Sequence, residues 1–181
     1  VAGCPLACPG CITPELRPFD SGQALTLADL AAHILTRPAR LDGLTLTGGE
    51  PFAQAAALAE LLDRLRASRP EWTSLAFSGY PLSYLQRQTT AAPLLSRLDL
   101  LVAGPHEAAA GAGHGLCATA NQRLHAQGAR GAALRMAMAD EPAAGVNLGL
   151  GRDGQGWLVG ILDPRRREHG QQYLLSSSRR G

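Results

Sequence analysis

Apolar residues in the first part of the chain recur at the spacing of amphipathic helices in two segments. In residues 25–37 (LTLADLAAHILTR) they lie three or four positions apart, and Thr26 and Asp29 are placed like a capping box at the start. The stronger pattern covers residues 53–68 (AQAAALAELLDRLRAS) and stops before Pro70. Both segments are therefore predicted to form helices with one buried face.

Three further apolar segments have the character of strands. They are residues 43–49 (GLTLTGG), 73–80 (TSLAFSGY) and 98–104 (LDLLVAG). Strands that alternate with helices predict an α/β fold with a parallel sheet, and the third segment contains a continuous apolar run, as strands buried on both faces do. Each segment runs into a glycine. Ligands in such folds bind at the carboxyl ends of the strands, so these turns are where a site is expected.

The remaining patterns are weaker. They predict short elements: helical pieces at 81–88 and 93–98, a strand at 134–139, and a β-hairpin at 146–162 around Asp153-Gly154. We expect one domain over residues 1–163, with its core motifs in residues 1–125. Residues 164–181 are predicted to be a polar tail.

Composition excludes several chemistries. The chain has 181 residues and a net charge of +2, which favours neither nucleic acid nor a membrane surface as a partner. All 17 basic residues are arginines. A chain without lysine has no P-loop lysine, no Schiff-base lysine and no lysine general base.

Three of the four cysteines form a cluster near the start of the chain. Cys4, Cys8 and Cys11 have the spacing C-x-x-x-C-x-x-C, which indicates metal ligation in a reducing compartment, so a cytoplasmic location is expected. An iron–sulfur cube held by three thiolates leaves one iron open for a small molecule. Zinc with a histidine as fourth ligand is the alternative at this point. Cys117 and the histidines at 33, 106, 114 and 125 are not expected to be ligands.

A second motif, TGGEP at residues 47–51, follows a predicted strand and precedes the strongest predicted helix. Gly48 and Gly49 allow the backbone to come close to a ligand, and Pro51 rigidifies the turn. The carboxylate of Glu50 is expected to accept a hydrogen bond from an ammonium group. Taken alone, the motif is also compatible with a simple connector between strand and helix.

The cysteine motif followed by GGEP resembles the radical S-adenosylmethionine superfamily. That resemblance implies a [4Fe–4S] cluster on Cys4, Cys8 and Cys11, with S-adenosylmethionine on the open iron. It also implies cofactor contacts of two kinds. The methionine end would be held by Gly48, Gly49, Glu50 and Pro51, and the adenosyl side would be lined by Gly10, Cys11, Ile12 and Ser78.

Within that superfamily, residues 1–125 resemble the activating proteins of anaerobic ribonucleoside-triphosphate reductase. The segments that carry the resemblance are GCPLACPGC, LTLTGGEPFAQ, FSGY, LDLLVAGP and ATANQRL. The implied fold is a partial (β/α) barrel whose first strand would precede Val1. Asn121, Gln122 and Arg123 would contact a partner or substrate. Two residues depart from the family pattern: Thr119 stands where a serine is expected, and Ala103 where many relatives carry an aspartate.

The resemblance implies reductive cleavage of S-adenosylmethionine and formation of a glycyl radical on a partner, anaerobic ribonucleotide reductase. A flavodoxin- or ferredoxin-type protein would donate the electron. Two alternatives remain: a radical enzyme that modifies another protein, peptide or small molecule, and a non-catalytic iron–sulfur or zinc module that serves as an interaction platform.

Overall fold

The fold centres on a four-stranded sheet. The computed structural model describes residues 1–37, 41–111, 113–138, 147–150 and 156–159. The strands lie in the order β1-β2-β3-β4. Their bounds are Gly43–Leu46 for β1, Thr73–Ser78 for β2, Leu100–Ala103 for β3 and Arg123–Ala126 for β4. The first three strands are parallel, so their carboxyl ends meet at one edge of the sheet.

Within the part of the chain that the structure describes, five α-helices accompany these strands. They are α1 Leu27–Leu35, α2 Ala55–Ser68, α3 Leu82–Leu85, α4 Ala92–Leu95 and α5 Gly128–Ala137. Short 3-10 helices occupy Pro14–Leu16, Pro51–Gln54 and Ala108–Ala110. No helix of the described residues has both the length and the apolar character needed to cross a membrane.

The two helices predicted from periodicity are confirmed. The Thr26 hydroxyl accepts a hydrogen bond from the Asp29 backbone amide at 3.1 Å, which caps α1 as predicted. The predicted apolar face of α2 is buried through its four leucines, Leu58, Leu61, Leu62 and Leu65. This face packs with α1 and α4 against the sheet residues Leu46, Ala76 and Leu101. The helix layer thus covers one face of the sheet.

The prediction of a wholly parallel sheet is wrong for β4, which pairs with β3 in the antiparallel direction. Residues 104–122 leave β3 at the carboxyl edge, and the only described helix among them is the three-residue turn Ala108–Ala110. A parallel strand needs a longer crossover that returns the chain to the opposite edge. β4 therefore starts where β3 ends and runs back.

The strand predicted at 134–139 is also wrong, because residues 134–137 form the end of α5. The sequence of α5, GARGAALRMA, consists mainly of alanine, leucine, arginine and methionine, which are strong helix formers. It contains no β-branched residue to favour a strand. The helical preference of residues 128–137 as a whole outweighs the short apolar alternation at 134–139.

A separate two-stranded sheet consists of β5, Asn147–Leu150, and β6, Gly156–Val159, paired antiparallel. Both strands fall within the segment where the sequence predicts a hairpin. Its turn at Asp153-Gly154 and the predicted tail at 164–181 lie outside the described residues. The limits of the domain therefore stay predictions.

A buried carboxylate joins β2 and β3 at the amino edge of the sheet. One oxygen of Asp99 accepts from the amide of Ser74 at 2.8 Å and from its hydroxyl at 3.0 Å. The same oxygen accepts from the guanidinium of Arg66 at 3.0 Å. The site described next lies at the opposite edge, so this cluster holds the strands rather than a ligand.

Candidate metal and cofactor site

The start of the chain runs alongside the turn that follows β1. The amide of Gly49 donates to the carbonyl of Val1 at 2.7 Å, and the amide of Glu50 donates to the carbonyl of Gly3 at 2.9 Å. The terminal nitrogen of Val1 donates to the carbonyl of Thr47. Backbone hydrogen bonds therefore attach the segment before Cys4 to the GGEP turn.

The two glycines of the turn are required by this close approach. A Cβ on Gly48 would collide with backbone atoms of Val1, and Gly48 has φ +116°, which disfavours other residues. A Cβ on Gly49 would collide with the carbonyl of Gly3 and come within 3.0 Å of the carbonyl of Leu16. The glycines thus have a structural role that does not depend on a ligand.

The three clustered cysteines lie on a closed loop. The amide of Gly3 donates to the carbonyl of Leu16 at 2.8 Å, and the amide of Cys4 donates to that of Arg17 at 2.9 Å. These bonds close residues 4–16 into a compact loop of the Ω type. All three cysteines on it are free and half-buried.

The thiol of Cys4 is close to other ionisable groups. Burial raises its pKa, and the charges of Glu50, Cys8 and Cys11 raise it further, while a weak contact with the Leu6 carbonyl lowers it. The raised pKa favours the neutral thiol of Cys4 in the absence of a metal, and a metal would bind it as the thiolate with release of the proton.

The carboxylate of Glu50 points into the protein, and the residue is only 1% exposed. One oxygen accepts from the amide of Phe52 at 3.0 Å and from the hydroxyl of Ser78 at 2.9 Å. The other oxygen accepts from the amide of Gly79 at 2.9 Å. Burial raises the pKa of Glu50, and these three hydrogen bonds oppose that increase. Glu50 therefore connects the turn after β1 with the end of β2.

Ser78, predicted to contribute to the adenosyl side, is itself buried at the end of β2. Its hydroxyl donates to Glu50 and accepts from the amide of Tyr80 at 3.1 Å. The ring of Tyr80 stacks on that of Tyr84, with centroids 4.6 Å apart. Burial raises the pKa of Tyr80, with smaller increases from the charges of Tyr84, Glu50 and Cys4. Tyr80 thus belongs to the site, although the sequence did not single it out.

The loop also contacts the end of β2 through Leu6. A Cβ on Gly79 would collide with the side chain of Leu6, which lies directly over that glycine. Gly10 has φ +68° and open space around it, and Ile12 is 54% exposed. The side of the loop formed by Gly10, Cys11 and Ile12 therefore faces solvent, where a ligand has access.

Comparison with known proteins identifies the family. The model of the 4Fe-4S single cluster domain matches residues 1–125. The chain belongs to this family. It is also 31% identical over 116 residues to the anaerobic ribonucleoside-triphosphate reductase-activating protein of Pasteurella multocida (strain Pm70). That alignment covers 59% of this chain and 71% of the relative. No solved structure matches the chain.

The chemistry of the three donors on the loop agrees with the [4Fe–4S] group after which the family is named. Cys4, Cys8 and Cys11 are free thiols on one loop, and iron–sulfur clusters are held by cysteine thiolates. Within residues 1–37, 41–111 and the later described ranges, no three Cys, His, Asp or Glu side chains are placed to hold a single metal ion.

In this member of the 4Fe-4S single cluster family, the late motif residues support neighbouring loops. The amide nitrogen of Asn121 donates to the carbonyl of Pro105 at 2.7 Å, and that of Gln122 donates to Gly104 at 3.1 Å. The Gln122 side-chain oxygen accepts from the amide of Ala118 at 2.8 Å. The exposed guanidinium of Arg123 donates to nearby carbonyls. These contacts lie around the loop that leaves β3.

The residues that depart from the family pattern are both buried. Thr119 is 3% exposed, and its hydroxyl lies 3.4 Å from the amide of Glu107, which donates to it. Ala103 is 3% exposed at the end of β3.

Cys117 is half-buried in the loop between β3 and β4. Burial raises its pKa, and the charge of Arg123 opposes the increase. Trp72 is a core residue.

Proposed function

We propose that this chain is a radical S-adenosylmethionine activase that holds its [4Fe–4S] cluster on Cys4, Cys8 and Cys11. The observation that supports this most directly is the attachment of the cysteine loop to the GGEP turn through Gly49 and Glu50. That attachment would bring the proposed cluster ligands beside a turn whose Gly48 and Gly49 carbonyls accept no hydrogen bond from the described residues. The family match and the resemblance of the Pasteurella activating protein agree with it.

The methionine end of S-adenosylmethionine would bind at the turn. The amides of Gly49 and Glu50 are already used by Val1 and Gly3, but the carbonyls of Gly48 and Gly49 accept no hydrogen bond from the described residues. A carbonyl is a suitable acceptor for an ammonium group. We therefore assign these two carbonyls as hydrogen-bond acceptors for the amino group of S-adenosylmethionine. Pro51, the first residue of its 3-10 helix, restricts the backbone after the turn and so fixes the orientation of the carbonyls.

The adenosyl side would lie along Gly10, Cys11 and Ile12, on the exposed side of the loop. Ser78 supports that region indirectly, because its hydroxyl is used by Glu50 and Tyr80. The apolar side chain of Leu6 on the loop lies over Gly79, whose amide donates to the carboxylate of Glu50. Asn121, Gln122 and Arg123 lie around the loop that leaves β3, and a partner would approach there.

Held by Cys4, Cys8 and Cys11 and reduced, the cluster would supply the one electron needed for reductive cleavage of S-adenosylmethionine, the chemistry that would generate a glycyl radical on the partner. The chain's own residues bind and orient the cofactor. No protein acid or base is needed for this reaction, which agrees with a chain that contains no lysine.

The partner in this proposal is a glycyl-radical enzyme, anaerobic ribonucleotide reductase, and the electron comes from a flavodoxin- or ferredoxin-type donor in the cytoplasm. The name of the Pasteurella relative, which refers to activation of this reductase, supports this choice of partner. Three parallel strands with helices on one face also suit a partial barrel of the radical S-adenosylmethionine type.

The test is formation of 5′-deoxyadenosine. The protein is loaded anaerobically with iron and sulfide, reduced with dithionite and given S-adenosylmethionine, and the product is measured by chromatography. The parent is expected to form it, whereas Cys8→Ala is not. A fully loaded parent that forms none contradicts both enzymatic functions and leaves the non-catalytic module.

A second measurement separates the activase from other radical enzymes. The loaded protein is incubated with anaerobic ribonucleotide reductase, and the glycyl radical is looked for by electron paramagnetic resonance. Cleavage of S-adenosylmethionine without any radical on the reductase would favour a different protein, peptide or small molecule as substrate.

A further inference from the structure

The carboxylate of Glu50 is satisfied entirely by neutral donors of the protein. Its three hydrogen bonds come from Phe52 on its own turn and from Ser78 and Gly79 at the end of β2. Within the described residues, no arginine, histidine or terminal amine donates to it. It is one of the most deeply buried charged groups described, at 1% exposure.

A ligand has poor access to this carboxylate. An ammonium group would have to displace one of the three donors or reach an oxygen that solvent hardly touches. Displacement would leave a buried amide or hydroxyl without a partner, which is costly. The free carbonyls of Gly48 and Gly49 offer the same chemistry without that loss.

We infer that Glu50 is a positioning residue: its carboxylate holds the GGEP turn against the end of β2 and thereby seats the cysteine loop, rather than contacting the cofactor. The inference depends on the proposed function in one respect: the proposed function supplies S-adenosylmethionine as the ligand of the turn.

Two supports of the loop depend on this carboxylate. The backbone amide of Glu50 donates to Gly3, immediately before Cys4. The amide of Gly79, which donates to the carboxylate, belongs to the glycine on which Leu6 packs. Loss of the carboxylate contacts would therefore loosen the loop at both places. The cysteines and the carbonyls of the turn would lose their fixed separation.

Ser78 provides the decisive variant. Ser78→Ala removes one donor but keeps the charge of Glu50, so a direct ionic contact with a ligand would survive it. Glu50→Gln keeps the shape but has a single oxygen for three donors. Glu60→Gln is the matched control, because Glu60 pairs only with Arg64 on the exposed face of α2.

The first measurement is hydrogen–deuterium exchange on the reduced, metal-free full chain. In both Glu50→Gln and Ser78→Ala, amides in residues 1–17 and 48–52 are expected to exchange about tenfold faster, because loss of one buried hydrogen bond has this order of effect. Exchange in the core of α2 should be unchanged, as should every segment of Glu60→Gln. Unchanged exchange in residues 1–17 and 48–52 of both variants would overturn the inference.

The second measurement is the affinity of the loaded protein for S-adenosylmethionine. Both variants are expected to bind it at least severalfold more weakly, with Glu60→Gln like the parent. Weak binding by Glu50→Gln alone, with normal binding by Ser78→Ala, would show direct contact and overturn the inference. If Glu50→Gln does not fold, Ser78→Ala decides. A loaded parent that binds no S-adenosylmethionine contradicts the proposed function, while the exchange result still decides whether Glu50 seats the loop.

Discussion

The carbonyl oxygen of Gly3 occupies the space that a side chain on Gly49 would need. Gly49→Ala should therefore push the chain start away from the turn and displace Cys4, which follows Gly3. We expect the free energy of unfolding of the Gly49→Ala variant to fall by about 1–3 kcal/mol, as it does when a site is overpacked. The variant should also take up much less iron and sulfide on reconstitution. Iron content per chain and urea denaturation measure the two effects.

Gly43→Ala is the matched control, because its Cβ would collide with backbone atoms of Thr73 at the opposite end of β1. It should cost similar stability while leaving the cysteine loop in place. Equal iron uptake by Gly49→Ala and Gly43→Ala would mean that the contact between Gly3 and Gly49 does not position the metal site.

The contact between Leu6 and Gly79 should give strongly coupled mutations. Gly79→Ala places a methyl group into the side chain of Leu6, so it is expected to destabilise the chain by about 1–3 kcal/mol. In Leu6→Ala that space is free, and the second substitution should cost little there. A double-mutant cycle from urea denaturation measures the coupling. Additive effects would contradict the packing described here.

Much of the local structure was predictable because its causes are local. The face of α2 follows from leucines spaced three and four apart, and the cap of α1 follows from Thr26 and Asp29 three residues apart. The direction of β4 was not predictable in this way. The direction of β4 depends on the path of the connection between β3 and β4, and the residues of β4 themselves do not indicate that path.

The candidate site shows the same division. The motif residues could be named from their order along the chain, but the role of Glu50 could not. Its partners Ser78 and Gly79 lie 28 and 29 residues away, and only the pairing of β1 with β2 brings them together. Tyr80 was missed for the same reason. The available signal was its position directly after a strand and a glycine at the carboxyl edge.

Asp99 is expected to be a major contributor to stability at the amino edge. Asp99→Ala leaves the hydroxyl and amide of Ser74 and the guanidinium of Arg66 without their shared acceptor, so we expect a loss of about 1–3 kcal/mol. Asp63→Ala, which breaks only an exposed ion pair with Arg97, should cost less than about 1 kcal/mol. Urea denaturation of the metal-free chain compares them. Equal losses would refute the role of Asp99.

Replacing Cys8 and replacing Cys117 should have opposite outcomes for the iron content of the loaded protein. Parent protein loaded anaerobically is expected to hold about four irons per chain, and Cys8→Ala to hold almost none, because a cube with two thiolates is poorly retained. Cys117→Ala should load like the parent, since Cys117 lies on the separate loop between β3 and β4. Iron and sulfide analysis with visible absorption measures this. A Cys117→Ala protein without cluster would overturn the ligand assignment.

His125 on β4 should make the metal-free chain less stable in weak acid. Burial and the positive charge of Arg135 lower its pKa below the ordinary 6.5, so the unfolded chain takes up this proton at a higher pH than the folded chain. The stability gained from neutral His125 is therefore present above pH 6.5 and lost as the pH falls through the folded-state value.

Urea denaturation at pH about 7.5 and about 5.5 should show the parent losing more stability than His125→Gln. The difference should be less than about 1 kcal/mol because the ring is partly exposed. Arg135→Gln removes the repelling charge and should reduce the difference. Identical pH dependence in the parent and His125→Gln would show that burial of this ring does not disfavour its charged form.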